Sequence, residues 1–310
     1  MKITCVEPLG MSEETLKQHK AFFASKGHVF AYFLDRREDD ATLTERMQDS
    51  DIVIISNIKL TSSVMERCKS LKMLSVAFTG LDHIDMGYCR SHNIQVSNAA
   101  GYSTTAVSEL AIGLMLDVYR RITALDTATR GSGSRGTFLG RELRGKTVGV
   151  VGTGAIGLAT MRLAQAFGCR LLAYSRSERP EAMSLGARYC TLDELMTLSD
   201  IVTLHVPLNS DTYHLVGEHE LSLMKPTAIL INTARGNVVD IDVLAKALTE
   251  RRIAGAGIDV YEKEPPLAAD HALLSAPNCI VVPHIGYATR EAFDIRADIV
   301  IDNVKRYLKI

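Results

Sequence analysis

Three polar residues of the C-terminal half carry side chains suited to acid–base chemistry on a small acid. Arg235, Glu264 and His284 each follow an apolar run that predicts a strand. Histidine titrates near neutral pH and can exchange a proton with an alcohol or keto oxygen. A carboxylate beside it would orient the ring, and an arginine would hold a substrate carboxylate by a two-pronged hydrogen bond. Taken singly, each also fits an ordinary solvated loop residue or a packed histidine.

A glycine motif supplies the element that this chemistry would need beside it. The residues Gly152-Thr153-Gly154-Ala155-Ile156-Gly157 lie between a predicted strand, 148–151, and a predicted helix, 156–167. Gly152 permits a tight turn, Gly154 lets a pyrophosphate approach the backbone, and Gly157 lets the helix pack on the strand. The N–H groups at the helix start then face the phosphates. The motif predicts dinucleotide binding, with a glycine-rich turn of an ordinary α/β protein as the alternative.

The residues after the second strand of that unit bear on which nucleotide is bound. An Asp or Glu about 20 residues after the glycines normally bonds the ribose hydroxyls. Here Ser175 stands in that place, and Arg176 and Arg179 follow it. Guanidinium groups match phosphate geometry, so the loop favours NADP(H) through its 2′-phosphate. NAD(H) is the alternative if the loop is only a solvated basic segment.

Strand and helix patterns alternate along the chain and predict parallel sheets covered by helices. We expect an α/β protein of two doubly wound domains, with ligands beyond the carboxyl ends of the strands. The substrate domain is predicted at 1–99 plus 284–310, and the dinucleotide-binding domain at 100–283. A last helix at 289–308 should cross back to the first domain. An apolar-striped helix from Thr104 through Ile122 is either buried or part of a dimer interface, and we favour the interface.

Composition and charge exclude several kinds of protein. The chain has 310 residues, is 46% hydrophobic and 23% charged, and has a formal net charge of -1. Nothing there favours a nucleic-acid partner or an anionic membrane surface. No apolar run reaches the roughly 20 residues of a membrane span, and the N-terminus lacks a signal-peptide core, so we expect a cytoplasmic protein. Six scattered cysteines without a CxxC pair predict reduced thiols and no metal site.

Four ordered motifs and one N-terminal run resemble the D-isomer-specific 2-hydroxyacid dehydrogenase family. They cover nearly the whole chain at fitting separations. The runs are residues 79–85, 152–157, 232–236 (Asn-Thr-Ala-Arg-Gly), 257–265 (Gly-Ile-Asp-Val-Tyr-Glu-Lys-Glu-Pro) and 283–286 (Pro-His-Ile-Gly).

The resemblance implies roles for particular residues. His284 would be the general acid/base, Glu264 its partner and Arg235 the anchor of the substrate carboxylate. Cofactor contacts would come from Gly152, Gly154, Ala155, Ile156, Gly157, Thr105, Ser175, Arg176, Arg179, His205, Thr233 and Asp259, the last meeting the nicotinamide carboxamide. Asn57, Thr79 and Gly80 would line the substrate pocket with Arg235. The reaction would be hydride transfer between NAD(P)H and a small 2-keto or D-2-hydroxy acid of the glyoxylate, hydroxypyruvate or pyruvate class.

The family also implies a Rossmann cofactor domain inserted into a flavodoxin-like substrate domain, cleft closure and a homodimer, here through residues 104–130. Two features depart from it. The acidic ribose ligand is absent, and the sequence stops at Ile310 without the regulatory domain of some phosphoglycerate dehydrogenases. Two alternatives remain: an NAD(H)-sensing corepressor-like interaction protein, which the lack of long disordered tails disfavours, and a dehydrogenase of formate or phosphite type.

Overall fold

A computed structural model describes all residues, 1–310, and they form two compact units. Unit 1 comprises Met1–Ser103 with Ala288–Ile310, and unit 2 comprises Thr104–Tyr287. The predicted boundaries, at 99/100 and 283/284, lie four residues before these. His284 consequently belongs to unit 2. The assignment of the substrate to unit 1 and of the cofactor to unit 2 stays a prediction.

Unit 1 is built on a five-stranded parallel sheet. Its strands are β1 (Lys2–Cys5), β2 (Val29–Tyr32), β3 (Ile52–Ile55), β4 (Met73–Val76) and β5 (Gln95–Asn98). Their order is β2-β1-β3-β4-β5, which is the flavodoxin-like order predicted from the resemblance. All four residues of β3 are buried, because a central parallel strand is covered on both faces.

Short helices connect these strands. They are α1 (Glu13–Ser25), α2 (Asp40–Met47), α3 (Ser62–Met65) and α4 (Met86–Ser91). The start of α1 shows why the sequence folds this way locally. Ser12 caps the helix by accepting the Thr15 N–H at 3.1 Å, and Glu13 and Glu14 meet the positive end of the helix dipole.

Unit 2 is built on a seven-stranded parallel sheet. Its strands are β6 (Thr147–Val151), β7 (Arg170–Tyr174), β8 (Arg188–Tyr189), β9 (Ile201–Leu204), β10 (Ile229–Asn232), β11 (Gly255–Ile258) and β12 (Cys279–Val281). The order is β12-β11-β10-β9-β6-β7-β8. The first strand, β6, lies between β7 and β9, so the direction of winding reverses there, as in a Rossmann fold. Nucleotides bind beyond the carboxyl ends of strands at such a reversal.

Helices cover both faces of this sheet. The helices of this unit are α5 (Thr104–Arg120), α6 (Ile122–Arg130), α7 (Ala155–Ala166), α8 (Pro180–Ser184), α9 (Leu192–Leu198), α10 (Glu218–Leu223), α11 (Ile241–Thr249) and α12 (Ala272–Ser275), and of these α6 buries no residue. One core cluster lies under α5, α7 and α8, and the other under α9 to α12. The two layers of helices confirm the doubly wound architecture.

The predicted continuous helix through Ile122 is wrong at its C-terminal end. α5 stops at Arg120, and Arg121 takes a left-handed conformation with φ +50°. Asp117 then starts α6 by accepting the Thr123 N–H at 2.9 Å. The apolar stripe of α5 packs against α7, β10 and β11 inside unit 2, so burial accounts for that stripe, whereas Ile122 is 55% exposed.

The final helix, α13 (Arg290–Leu308), belongs to unit 1 and packs on β4 and β5. Thr289 caps it by accepting the Ala292 N–H at 3.1 Å. Asn303 Nδ2 donates to the Asn98 carbonyl at 3.0 Å and ties the helix to the end of β5. None of the helices combines the length and apolarity that crossing a membrane would require. All six cysteines carry free thiols.

Candidate active site

The predicted catalytic residues follow three neighbouring strands of unit 2. Arg235 comes after β10, Glu264 after β11 and His284 after β12. These strands are adjacent and parallel in the sheet, so their carboxyl ends lie along one edge. The fold therefore presents a guanidinium, a carboxylate and an imidazole from consecutive loops of the same unit.

His284 and Glu264 form a direct pair. His284 Nδ1 and Glu264 Oε2 are 2.7 Å apart, and the histidine side chain is 16% exposed against 51% for the glutamate. With Nδ1–H donated to the carboxylate, Nε2 is the ring nitrogen that can exchange a proton with a ligand. His284 also has φ +53°, in the left-handed region that non-glycine residues adopt rarely.

The loop that carries Arg235 is shaped by a buried asparagine. Asn232 Oδ1 accepts the Ala234 N–H at 3.0 Å, and its Nδ2 donates to the Arg235 carbonyl at 2.9 Å. Arg235 Nη1 donates to the Ala234 carbonyl at 2.8 Å, which fixes the guanidinium close to its own loop. Asn232 is thus a positioning residue of this loop that the motif contained but the sequence analysis left without a role.

Asp259 fastens the loop that presents His284. It is 1% exposed, and its two carboxylate oxygens accept the N–H groups of Ile285 at 2.6 Å and Gly286 at 2.8 Å. Burial raises the pKa of Asp259 to about 6, against the lowering effects of those two N–H groups and of His284. These hydrogen bonds make Asp259 a support of the His284 loop, and its contact with the nicotinamide carboxamide stays a prediction.

We expect Asp259→Asn to lower kcat/KM and to remove the acid side of its pH profile. Asparagine resembles the protonated carboxyl group, since one of its terminal groups cannot accept an amide N–H. Wild-type Asp259 takes up a proton as the pH falls through about 6, and the His284 loop then loses one acceptor. The wild-type kcat/KM should decline below about pH 6, whereas the variant should be low already at neutral pH and lack that decline. Initial rates across pH measure both.

Thermal unfolding distinguishes this effect from acid denaturation. A carboxyl group with a raised folded pKa opposes folding when ionised, so its contribution to stability increases as the pH falls from about 6 toward its ordinary 3.8. In Asp51 and Asp200, hydrogen bonds outweigh partial burial and lower the pKa. The stability that these two aspartates add is therefore lost only as the pH falls below the ordinary aspartate value of 3.8. If the wild-type Tm fell together with kcat/KM between about pH 6 and pH 3.8, the loss of activity would reflect unfolding. That result would contradict the assignment of the activity loss to Asp259.

The glycine turn has the geometry that a pyrophosphate site needs. Gly152 has φ +97°, and a Cβ there would lie 2.6 Å from the His205 carbonyl oxygen. A Cβ on Gly157 would clash with the Gly152 carbonyl oxygen, so α7 packs directly on the turn. A Cβ on Gly154 would meet nothing within 4 Å. The turn is therefore closed toward the protein and open at Gly154, the side from which a ligand approaches.

A cavity of about 260 Å³ lies at this turn, at the carboxyl ends of β6, β7 and β9. Six of the predicted cofactor residues line it: Gly152, Gly154, Ser175, Arg176, Arg179 and His205. The sequence analysis missed nine others: Thr153, Tyr174, Ser177, Val206, Pro207, Asn209, Asp211, Thr212 and Leu215. Most of the missed residues belong to the loop after β9. Because β9 neighbours β6 at the point where the winding reverses, this loop lies opposite the glycine turn.

The positive charge in this cavity comes from the two arginines. Burial lowers the pKa of His205 to about 3, so its ring is neutral, with Nε2 3.0 Å from Thr203 Oγ1. Arg176 and Arg179 line the wall that follows β7, and Asp211 supplies a carboxylate from the loop after β9. A cavity with two guanidinium groups beside a helix start suits a ligand with several phosphates.

The other predicted cofactor residues lie outside this cavity. Ala155 and Ile156 open α7, Thr105 is exposed in the first turn of α5, and Thr233 follows β10. The Thr233 hydroxyl is buried and has no hydrogen-bond partner within the protein. Buried polar atoms normally have partners, so this hydroxyl fits a site completed by a bound polar group. Together with the glycine turn, it makes the residues present compatible with a nicotinamide dinucleotide.

Apart from Arg235, the predicted substrate residues belong to unit 1. Asn57 follows β3, and Thr79 and Gly80 follow β4, so all three lie at the carboxyl edge of that sheet. Arg36 Nη1 donates to Asn57 Oδ1 at 2.9 Å and also pairs with the buried Glu7 at 2.5 Å. The Thr79 carbonyl accepts Asn98 Nδ2 at 2.7 Å. Because Asn57 Oδ1 is an acceptor of Arg36, its amide N–H groups are the ones that can meet a ligand.

Comparison with known proteins identifies relatives over both units. The model of the D-isomer specific 2-hydroxyacid dehydrogenase NAD binding domain matches residues 112–286. A glyoxylate reductase of Thermococcus litoralis is 41% identical over 277 residues, which are 86% of this chain and 83% of the relative.

Two solved structures share the whole fold. An acyclic imino acid reductase, Bsp5, in complex with NADPH and D-Arg, has a TM-score of 0.89 at 31% identity, covering 100% of this chain and 97% of that one. A glyoxylate reductase from Paecilomyes thermophila has a TM-score of 0.87 at 28% identity, covering 98% of this chain and 94% of that one.

Proposed function

The chain belongs to the D-isomer specific 2-hydroxyacid dehydrogenase family, and we propose that it reduces glyoxylate or a similarly small 2-keto acid with NADPH. It is an oxidoreductase that transfers a hydride between NAD(P)H and a 2-keto or 2-hydroxy acid. The corepressor-like alternative gains no support from these relatives. The observation that carries the proposal is the 2.7 Å pair of His284 and Glu264 beside the Arg235 loop.

A bound nicotinamide supplies the hydride, and the chain's own residues manage the proton and the carboxylate. Glu264 accepts His284 Nδ1–H and stabilises the charged imidazolium before the reaction. His284 Nε2–H then donates to the keto oxygen and transfers its proton as the alcohol forms. In the reverse direction the neutral ring takes the alcohol proton back through the same nitrogen.

Arg235 holds the substrate carboxylate in this mechanism. Its guanidinium can offer two parallel N–H groups, which fix the rotation of the acid as well as its position. Asn232 keeps the Arg235 backbone in place, so the carboxylate is held at a set distance from the β12 exit that carries His284. Asn57, Thr79 and Gly80 are proposed substrate contacts from unit 1.

The test of this function is a panel of 2-keto acids crossed with both cofactors, measured as kcat/KM. Among all combinations of keto acid and cofactor, glyoxylate, hydroxypyruvate and pyruvate with NADPH should give the highest kcat/KM. Parallel reactions with added ammonium test the imino-acid chemistry named for one structural neighbour. The nitrogen of an iminium substrate is already protonated, so hydride transfer to its carbon needs no acid, and the His284–Glu264 pair favours the keto substrate. Reduction that required ammonium, or no turnover with any keto acid, would contradict the proposal.

We propose NADP(H) as the preferred cofactor, with NAD(H) as the alternative. Ser175 replaces the acid that would bond a ribose hydroxyl and repel a phosphate, while Arg176 and Arg179 line the same cavity wall. An acid is present in the cavity at Asp211, but it belongs to the loop after β9.

Arg176→Asp should shift the NADP/NAD ratio of kcat/KM toward NAD by roughly tenfold or more, because a charge-assisted hydrogen bond is lost and a repulsion is added. Initial rates with both cofactors provide the ratio. Arg162→Asp is the matched control, since Arg162 is exposed on α7 and does not line the cavity. An unchanged ratio in the Arg176 variant would show that the basic loop is only solvated.

We further propose that the protein is a homodimer through the 104–130 region and works in the cytoplasm. α6 buries none of its residues within unit 2, and Ile122 is 55% exposed at its start. An amphipathic helix without a fully buried residue suits a symmetric contact with a second copy. Six free thiols suit a reducing compartment. Sedimentation that gave a monomer mass at all protein concentrations would exclude the dimer.

A further inference from the structure

Tyr189 connects two parts of the nucleotide cavity that are far apart in the sequence. It belongs to β8, a two-residue strand at the edge of the sheet, where it pairs with Ala173 of β7. Its phenol oxygen lies 2.9 Å from Thr153 Oγ1 in the glycine turn and 2.9 Å from the backbone nitrogen of Arg179. One side chain outside the predicted site thus contacts both the phosphate turn and the arginine loop.

The direction of each hydrogen bond follows from the groups involved. A backbone N–H can only donate, so the phenol oxygen accepts from Arg179. The phenol hydrogen is then donated to Thr153 Oγ1. Since Thr153 Oγ1 accepts that hydrogen, its own hydroxyl hydrogen is available to an acceptor in the cavity that Thr153 lines. The tyrosine therefore sets the threonine hydroxyl as a donor toward a ligand phosphate.

The contact with Arg179 fixes the second part of the cavity. Arg179 precedes Pro180, which holds it in an extended conformation with φ −112° and ψ 123°. Its backbone N–H is the donor to the phenol, and its side chain lines the cavity beside that of Arg176. Residues 176–179 are exposed, so a hydrogen bond to the sheet edge determines where this loop lies.

We propose that Tyr189 is a positioning residue that holds the glycine turn and the 175–179 loop at the spacing of a pyrophosphate and a 2′-phosphate. The proposal rests on the proposed use of NADPH. Without the phenol hydroxyl, Thr153 loses its directed donor and the arginine loop loses its attachment. Binding of both phosphate groups should weaken, while the residues that handle the substrate are left unchanged.

The test compares Tyr189→Phe with wild type, because phenylalanine keeps the ring and removes only the hydroxyl. We expect the KM for NADPH to rise roughly tenfold, in keeping with the loss of two hydrogen bonds, and kcat to change less than twofold. Calorimetric titrations with 2′,5′-ADP and 5′-AMP should show that the preference for the 2′-phosphate falls. Tyr119→Phe is the matched control: it removes a phenol hydrogen bond to the Asp200 carbonyl in the same unit, away from the cavity. That variant should change neither quantity.

A double-mutant cycle with Thr153→Val tests the path through the threonine. If Tyr189 acts through Thr153, the double variant should weaken 5′-ADP binding by a smaller factor than the product of the factors measured for the two single variants. Thr153→Ser, which keeps the hydroxyl, should bind like wild type. If Tyr189→Phe fails to fold, the comparison of Thr153→Val with Thr153→Ser still tests the proposal.

Unchanged KM and unchanged nucleotide preference in Tyr189→Phe would overturn the proposal, as would a fall in kcat and Tm with the preference retained. The proposed cofactor is judged separately, by the wild-type NADP/NAD ratio and by Arg176→Asp. A wild-type enzyme that prefers NADH would therefore refute the cofactor assignment, whereas full additivity in the cycle would refute the path from Tyr189 through Thr153.

Discussion

Replacing His284 with alanine should reduce kcat for keto-acid reduction by about 10²- to 10⁴-fold, the range typical of general acid–base catalysis. The Nδ1–Oε2 distance of 2.7 Å to Glu264 is the physical reason, because the carboxylate stabilises the charged ring that donates the proton. Without the ring, the proton has to come from water. Single-turnover reduction of glyoxylate, followed by loss of NADPH absorbance, measures this step directly.

Two controls separate lost catalysis from lost structure. The dissociation constant of NADPH, measured by fluorescence, should stay within about twofold of wild type. His219→Ala is the matched variant, since His219 also pairs with a carboxylate, Asp193 at 3.2 Å, but on the exposed surface of unit 2. Its kcat should equal that of wild type. A His284→Ala enzyme with near-normal kcat would remove His284 from the mechanism.

Arg235→Lys should lower kcat/KM by roughly 10- to 100-fold although the positive charge is kept. A hydrogen bond to a charged group contributes about 1.5–3 kcal/mol, and lysine cannot supply the second, parallel N–H of the guanidinium. Lysine would also lose the contact of Nη1 with the Ala234 carbonyl, which holds the side chain beside its loop. The effect should be measurable as a raised KM for the keto acid with an unchanged dissociation constant for NADPH.

Arg252→Lys provides the comparison for this substitution. Arg252 pairs with Glu218 at 2.8 Å and with Glu250 at 3.0 Å in the same unit, so a general intolerance of lysine would affect it too. It should lower Tm slightly and leave KM unchanged. Equal changes in KM for the two variants would mean that Arg235 does not hold the carboxylate.

The sequence predicted those features that depend on local pattern. The apolar run before the glycines became β6 and the residues after them became α7, because a strand–turn–helix unit is encoded within a few residues. The exits of β10, β11 and β12 were also identified, since each apolar run is followed by polar residues within a few positions. Their adjacency confirms the fold-class prediction, because a doubly wound order determines which strands are neighbours.

Features that depend on tertiary contacts could not be predicted in this way. Helical periodicity continued from α5 into Ile122, but the left-handed Arg121 breaks the helix there and nothing in the pattern marks that position. The two backbone partners of Asp259 come from residues 285–286, far along the chain. Tyr189 is similar, since its hydroxyl reaches Thr153 across 36 residues. A hydrogen bond between distant loops has no periodicity to reveal it.

The construction of unit 1 from both ends of the chain has a consequence for protein synthesis. A ribosome completes all five strands of this sheet by residue 98, but delivers α13 only after all of residues 104–287. The inserted unit can therefore fold first. During that interval β4 and β5 lack the helix whose Val300, Ile301 and Val304 are buried in the finished protein. The nascent chain thus lacks the cover over β4 and β5 for most of its translation.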